Sequence, residues 1–483
     1  MTNSFPKWIT KRMIKGARGF NLDSYLVALE GWRRGLTLTW YYDPAEVTDM
    51  TIIGFNPLGK TFSLESNEQQ MTHYFYRSRG DKVSNEAVDI VHQKHQAKTY
   101  FNKSGVPTPK GIMFDRNTEE DAIIERVESL KYPVVLKPVL GSLGKGVITN
   151  IHSEEELFDA IKNVQDQYDG YNQYIVEEQF DGDEYRVYVI GDKVAAATKR
   201  VPANVVGDGV HSIEQLIEEK NKQKRENPYL NKKLIKLDDT VLVFLKKQGL
   251  DSGYIPENGE MVKLRGQANI SAGGDPIDAT DNISEKVEKV AIAAVRAIPE
   301  LIHAGVDIIA DDKEIKVIEV NGTADISMHV FPIEGSPQNV PEKIIDFYYP
   351  STIGSATDRT EIFFSYMDIR NILRDKLAQK ITISDAPNGT LHTTRYIVSG
   401  KVQKVGYRIW IRNQAIKRGL HGYTRNLKNG NVVVIVGGSN RNDVEDFKKT
   451  CYKGPAKAKV ENVRELDWNH PIKLGFEIRK TKR

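Results

Sequence analysis

The chain has 483 residues, 40% hydrophobic and 28% charged, with a net charge of +3. That length exceeds the size at which one core stops growing, and the composition excludes a disordered chain. No apolar run is long enough to cross a bilayer, and Cys451, the one cysteine, excludes an internal disulfide and a cysteine-based zinc site.

Cysteine usage makes a cytoplasmic location the expectation. The basic stretch Met1–Phe20 lacks the apolar segment of a secretory signal. Ser24–Arg34 reads as an amphipathic helix and Leu36–Tyr42 as β-rich, with short strands at Thr51–Phe55 and Thr61–Leu64. Asn85–Lys103 has helical character and stops at Gly105-Val106-Pro107. Pro133–Leu136 is a short apolar strand, and Ser153–Val164 is a helix opened by a serine and acidic residues. Strands follow at Tyr174–Glu178 and Tyr185–Ile190. A helix at Glu285–Ala297, capped by Ser284, precedes strands at Gly305–Ile309 and Ile315–Val320. Pattern is lost between Pro350 and Gly389, where turn chemistry marks a linker end. Beyond it come a strand (Thr394–Ser399), a helix (Arg408–Arg418) and a strand (Asn431–Val436). A helix (Asp443–Cys451) and a strand (Phe476–Ile478) complete a β-α-β-β-α-β order with one strand unplaced, which suggests a ferredoxin-like sandwich.

Charge is uneven. Leu391–Arg483 holds 21 Lys and Arg against 7 Asp and Glu, a net of +14, which leaves −11 on the rest. A basic domain attracts nucleic acid or small phosphorylated anions. No aromatic RNA-recognition signature is present, which counts against nucleic acid.

Four pieces of sequence suit a nucleotide. Lys98 lies in the helix before Gly105, and Lys137 closes the strand Pro133–Leu136. The loop Gly141-Ser142-Leu143-Gly144-Lys145-Gly146 follows, and Glu177 and Glu178 end a strand ahead of Gly182-Asp183-Glu184. Lysines and glycine-loop amides serve phosphates, a carboxylate such as Glu184 can accept from a ribose diol, and the strand end Glu177–Gln179 can present backbone to adenine. The loop is not a Walker A motif, because Val147 stands where that motif needs Lys. A lone lysine is usually a solvated charge and a short glycine loop usually a turn, so the specificity lies in their order.

Asp307, Glu319 and Asn321 sit in neighbouring apolar strand segments, with Glu319 and Asn321 on one sheet face. Three oxygen ligands there suit Mg²⁺, which keeps further positions for water and phosphate. Exposed edge charges are the plainer reading, but both carboxylates are embedded in apolar strands. Upstream, Leu264–Gly274 holds Arg265, able to stabilise charge on a transferring phosphoryl group, and Asn269, a neutral ligand or donor. Tyr76–Asp81 reads as a charged turn or a substrate-anion patch, and His329 is the one histidine with the position of a substrate contact.

Together these residues resemble the ATP-grasp superfamily, in particular the ATP-grasp parts of cyanophycin synthetase and fused glutathione synthetases. The likeness runs from about Asn85 to Pro350 through Arg200–Gly209, Leu264–Gly274 and Ile318–Gly322 on to Met328-His329. It implies an α+β protein with α/β lobes: an N-terminal lobe (1–84), an ATP-grasp domain (85–350), a linker with a helix (351–390) and a ferredoxin-like domain (391–483). It implies ATP with Mg²⁺, or Mn²⁺ in its place. Lys98 and Lys137, with Gly141, Ser142, Gly144 and Gly146, would bind phosphates, Glu177 and Glu178 would face adenine, and Glu184 the ribose. Asp307, Glu319 and Asn321 would hold metal, with Arg265 and Asn269 at the reacting phosphate and Lys199 and Arg200 lining the site. Gly322-Thr323-Ala324-Asp325 departs from the family's proline-containing turn. No Mur-ligase-like stretch is present, so cyanophycin synthesis itself is not implied.

Ser399–Arg408 and Gly422–Leu427 resemble the two acylphosphatase motifs. The resemblance implies a phosphoryl cradle at a helix N-terminus, Arg408 gripping it and Asn426 orienting water. Lys404 replaces the usual glycine, which would strain a position of positive φ. The family reading is a ligase that joins a small-molecule or peptide carboxylate to an amine through an acyl phosphate, fused to a domain acting on acyl phosphates. Two alternatives stay open: an acyl-phosphate hydrolase with a regulatory ATP module, and a non-catalytic ATP-binding assembly protein. No membrane partner is expected, and a homo-oligomer is compatible with the sequence.

Overall fold

The computed structural model describes residues 5–46, 48–53, 56–139, 146–167, 170–355 and 361–481. Gly141, Ser142 and Gly144 lie outside the described residues. The chain divides into two compact units, one built on Asp49–Ile53 and Ser78–Phe347, the other on Lys7–Thr48, Gly54–Arg77 and Tyr348–Arg483.

Two antiparallel sheets organise the first unit. One has the order Gly111–Asp115, Gln173–Glu178, Val134–Pro138, Ile148–Ile151. The strands expected at Pro133–Leu136 and Tyr174–Glu178 are its central pair, with Leu136 opposite Val176. Helices Glu120–Val127 and Glu154–Gln167 lay Ile123, Leu157, Ile161 and Val164 on Val134, Leu136 and Val176. Ser153 Oγ accepts from Glu156 N–H at 3.2 Å, and three glutamates in the first turn complement the helix dipole.

The other sheet has the order Asp275–Asp278, Lys193–Val201, Asp183–Ile190, His303–Ala310, Ile315–Asn321. Val187, Val189, Val306, Ile308, Val317 and Val320 point into a core shared with helix Glu285–Arg296 and the two helices that follow Ser84. Each such side chain contributes roughly 1.5–3 kcal/mol by leaving water. Ser284 caps its helix by accepting from Val287 N–H.

The helix expected over Asn85–Lys103 is two helices, Asn85–His92 and Lys94–Lys103. Extended backbone at Gln93, φ −97° and ψ 95°, breaks it. The second helix starts in a new direction, with Lys94 and Lys98 four residues apart on one face. A small separate core also fills the span the sequence leaves unassigned. Strands Asn204–Val206 and Met261–Lys263 pair there, and helices Ile213–Glu226 and Asp239–Lys247 pack Leu216, Ile217, Val241 and Leu245 against Val205 and Val262.

In the second unit, helix Phe20–Arg33 packs on strands Thr37–Tyr41 and Thr61–Ser66, and Met71–Tyr76 pairs with the latter. The segment 351–390 holds the expected helix, Tyr366–Arg374, and also Lys380–Thr382, which pairs antiparallel with Thr37–Tyr41. Phe364 and Tyr366 contact the rings of Tyr25, Trp32 and Trp40, so these two residues belong to a core. Arg77, from the charged turn, is buried and donates to Asp23 at 2.8 Å, a structural pairing.

The C-terminal sheet has the order Lys459–Asp467, His392–Lys401, Val432–Gly438, His421–Asn426, Phe476–Arg479, with helices Tyr407–Lys417 and Arg441–Lys453 packed on one face. This is the ferredoxin-like arrangement, and with the first unit's sheets it places the chain in the α+β class. Among the described residues, no helix is long and apolar enough to cross a membrane.

Candidate functional site

In the first unit the candidate residues fall into two groups. Glu177 stands opposite Val135, and Lys137 lies two residues along the same strand. Glu177 Oε2 meets Lys137 Nζ at 2.5 Å, and Oε1 meets Lys98 Nζ at 2.5 Å. Lys98 also donates to Pro109 O at 3.0 Å. Gly111 faces Glu177 across the sheet, where a Cβ would come within 2.6 Å of Glu177 Cγ, so only glycine leaves the carboxylate room. Glu177 is 3% exposed. Burial pushes its carboxyl up, but the Lys137 and Lys98 ammoniums outweigh that and hold it below the ordinary range. Burial draws Lys98 down to about 8 despite Glu177. Glu178 lies at the rim, accepting from Lys131 N–H at 3.2 Å, and Gly146 follows the glycine loop with φ 70°.

The second group is a row across the other sheet. Thr198, Arg186, Asp307 and Glu319 stand side by side on successive strands. Asp307 is bound by both forks of Arg186, through Nε and through Nη2 at 2.9 Å, and Arg200 Nη2 approaches it at 3.2 Å. Burial raises the Asp307 carboxyl and the two guanidiniums lower it further, so it stays ionised. Glu184 pairs with Arg200, although burial leaves its carboxyl above the ordinary range. Asn321 Nδ2 donates to Glu319 Oε1 at 3.1 Å.

Lys94 links the groups. Its Nζ lies 3.9 Å from Glu319 Oε2, and Lys98, one helical turn further on, pairs with Glu177. Burial lowers its pKa, offset in part by Glu319. Lys94 and Arg186 were missed by sequence reasoning. The signals were present: Lys94 precedes Lys98 by one helical turn, and Arg186 alternates with Glu184 on one strand face.

The remaining candidates have other partners. Arg265 Nη2 meets Asp238, the cap of helix Asp239–Lys247, at 2.5 Å. Asn269 Oδ1 accepts from Ser271 N–H at 2.9 Å and caps a short turn. Lys199 pairs with Asp183 at the surface, at 2.6 Å. His329 is 1% exposed, so it supports the row rather than meeting substrate. Its Nδ1 bonds Thr198 Oγ1 at 2.7 Å, and burial draws its pKa down to about 3.

Charge sorts the two groups chemically. Lys98 and Lys137 flank one carboxylate and Lys94 lies one helical turn before Lys98, an excess of positive charge suited to phosphates. Asp307, Glu319 and Asn321 offer hard oxygens on one sheet face, two of the three being carboxylates from adjacent strands. That donor set fits Mg²⁺, with Arg186 and Arg200 balancing the carboxylates. No cluster of three or more His, Cys, Asp or Glu residues arranged for a metal occurs among the described residues, so the fit needs the amide of Asn321 and phosphate oxygens.

The C-terminal domain carries a second candidate site. Lys404 and Gly406 both take positive φ, 61° and 79°, and helix Tyr407–Lys417 starts directly after them without a side-chain cap. Its first-turn N–H groups face the loop, with Arg408 in that turn. Gln403 Nε2 donates to Leu427 O at 2.9 Å and Asn431 O at 2.8 Å, tying the loop to the turn after Asn426. Asn426 Oδ1 is shielded from solvent and has no hydrogen-bond partner among the described residues.

An ATP-grasp family model matches residues 91–323, and an acylphosphatase model matches 394–478. Cyanophycin synthetase of Crocosphaera subtropica is 35% identical over 273 residues, 55% of this chain and 31% of that protein. The glutathione biosynthesis bifunctional protein GshAB of Clostridium perfringens is 35% identical over 269 residues, 54% of this chain and 34% of that protein. The chain thus spans about a third of the length of these relatives. The crystal structure of a bifunctional glutathione synthetase from Pasteurella multocida is 28% identical, covering 62% of this chain and 41% of that one, with a TM-score of 0.47. The chain joins an ATP-grasp domain, related in sequence to those of cyanophycin synthetase and the bifunctional glutathione synthetases, to a C-terminal domain of the acylphosphatase family.

Proposed function

We propose that the chain is an ADP-forming carboxylate–amine ligase whose intermediate is an acyl phosphate. The observation that carries this reading is Lys94, whose Nζ lies 3.9 Å from Glu319 in the oxygen row and which precedes Lys98, a partner of Glu177, by one helical turn. Lys94, Lys98 and Lys137 hold the ATP phosphates. Glu184 and the strand end at Glu177–Glu178 border the nucleoside. Asp307, Glu319 and Asn321 would hold Mg²⁺, which supplies charge neutralisation between the phosphates. Arg186 and Arg200 keep Asp307 ionised and oriented. Arg265 and Asn269 are assigned to the reacting phosphate on family resemblance, and Arg265 reaches it by leaving Asp238.

A carboxylate oxygen of the donor attacks the γ-phosphorus as the β–γ bridging bond breaks, releasing ADP. Phosphoryl transfer needs positioning and charge stabilisation more than covalent help, and this chain supplies both. An amine then displaces phosphate from the acyl carbon to form an amide. Hydroxylamine added with ATP, Mg²⁺ and candidate acids traps an acyl phosphate as a hydroxamate. ATP-dependent hydroxamate formation supports the reading; ADP release without hydroxamate from any acid overturns it.

At the C-terminal domain we assign hydrolysis of acyl phosphates. The loop N–H groups and Arg408 hold the phosphoryl group, and Asn426 aligns water. The partnerless Asn426 Oδ1 supports that role, since a buried acceptor without a donor is costly unless a ligand or water completes it.

A further inference from the structure

The loop between strand His392–Lys401 and helix Tyr407–Lys417 is pinned by three of its side chains. Val402 is buried, and Val405 packs on the same core. Gln403 Nε2 holds Leu427 O and Asn431 O, on the hairpin turn that follows Asn426. Lys404 lies between these anchors with φ 61°, and it is exposed. A β-carbon makes that backbone conformation unfavourable, whereas glycine takes it freely. What the position gains from lysine is therefore its side chain, presented outward by a loop whose other side chains are anchored inward. The Lys404 ammonium has no hydrogen bond or ion pair among the described residues. Directly after it the loop is open, since a Cβ on Gly406 would meet no atom within 4 Å. A second exposed lysine, Lys428, follows Leu427 at the other end of the Gln403 tie.

One sign of charge dominates this part of the chain. Between Asp385 and Asp443 there is no Asp or Glu but ten Lys and Arg, and Arg408 and Asn426 both fall within that span. Glu461, on the paired strand, stands beside Gly400 at the foot of the loop. Glu445 and Glu465 pair with Arg441 and Lys448. The loop N–H groups and Arg408 already meet one phosphoryl group, so Lys404 and Lys428 are cations beyond what that group needs. Such an excess attracts further negative charge and rejects cationic groups. Resting on the acyl-phosphate hydrolase reading of this domain, the geometry points to Lys404 as a specificity residue that selects acyl phosphates whose acyl group carries a further carboxylate. The phosphoryl group sits in the loop, and the acyl group extends outward to put its distal carboxylate at the Lys404 ammonium. The water oxygen bonds to phosphorus as the P–O bond to the acyl group breaks. A dicarboxylate leaves, and both water protons stay on the phosphate as dihydrogen phosphate. Lys404 touches neither the phosphorus nor the water, so its effect is on the choice of substrate.

The test is hydrolysis by the full chain, without ATP, of benzoyl phosphate and 4-carboxybenzoyl phosphate, which differ by one charge remote from the phosphorus. At low salt, kcat/KM for the carboxylated compound is expected to exceed that for benzoyl phosphate, and the ratio to fall as salt screens the pair. Lys404→Met is expected to lower the low-salt ratio by about fivefold, the upper end for one exposed ion pair, and Lys404→Arg to retain it. A ratio unchanged in Lys404→Met overturns the inference. If both rates fall together at that unchanged ratio, the ammonium serves the phosphoryl group instead. An unaltered protein that treats the two compounds alike at low salt, or prefers benzoyl phosphate, overturns the inference without any variant. Hydrolysis of neither compound overturns the hydrolase reading of the domain, and this inference with it.

Discussion

Glu177 is a buried carboxylate between two ammoniums, and its removal is the most informative single change in the pocket. Glu177→Gln leaves Lys98 and Lys137 without their counter-charge and is expected to destabilise the chain by about 3 kcal/mol or more, read by denaturant unfolding. Loss below about 1 kcal/mol would show that the lysines escape to solvent. Lys98 gives a pH signature. Burial lowers its pKa to about 8 in the free protein, so its positive charge is lost as pH rises through that value. Because kcat/KM reports the free enzyme, kcat/KM for ATP is expected to fall above about pH 8. Lys98→Met should lower kcat/KM and abolish that limb; a wild-type profile flat to about pH 10 contradicts a phosphate role for Lys98. Sequence alone pointed to Lys98, Lys137, Glu177 and Asp307 because their residue types and order were distinctive. It did not reveal that Glu177 faces lysines or that Asp307 is gripped by Arg186, because both depend on which strands become neighbours.

At the scale of elements, local signals succeeded where they were strong and failed where tertiary pairing decides. Ser284 and its apolar spacing marked the helix Glu285–Arg296. The Gln93 break carries no proline or glycine, so the two helices looked like one. Strands His421–Asn426 and Lys459–Asp467 are too polar to read alone, and the sheet recruits them by pairing with buried Val432–Gly438 and with His392–Lys401. The loop before helix Tyr407–Lys417 is where strain was anticipated, and Lys404 does adopt φ 61°. A side chain in that region costs about 1–2 kcal/mol, offset by up to about 1 kcal/mol of glycine's extra chain entropy. Lys404→Gly is therefore expected to stabilise the protein by up to about 1 kcal/mol and to hydrolyse acetyl phosphate at no lower rate. A loss of hydrolysis would instead make the Lys404 ammonium part of the phosphate site.

For the whole molecule, the sequence made the two-family composition legible because each family's motifs keep their order within one stretch. The N-terminal 84 residues carried no such signature, and their assignment waited on long-range pairing such as Thr39 with Thr382. In the proposed reading the two chemistries share one intermediate, an acyl phosphate that a ligase makes and an acylphosphatase destroys. If the C-terminal domain hydrolyses escaped intermediate, Arg408→Ala should reduce the ATP consumed per amide formed, measured as the ratio of ADP to product. An unchanged ratio across substrates would separate the two activities. The most direct test of the central claim is Glu319→Gln assayed twice, for ATP-dependent ADP release and for acetyl-phosphate hydrolysis. Loss of ADP release with full acetyl-phosphate hydrolysis is the expected result. Amide synthesis retained at the wild-type rate would contradict the account.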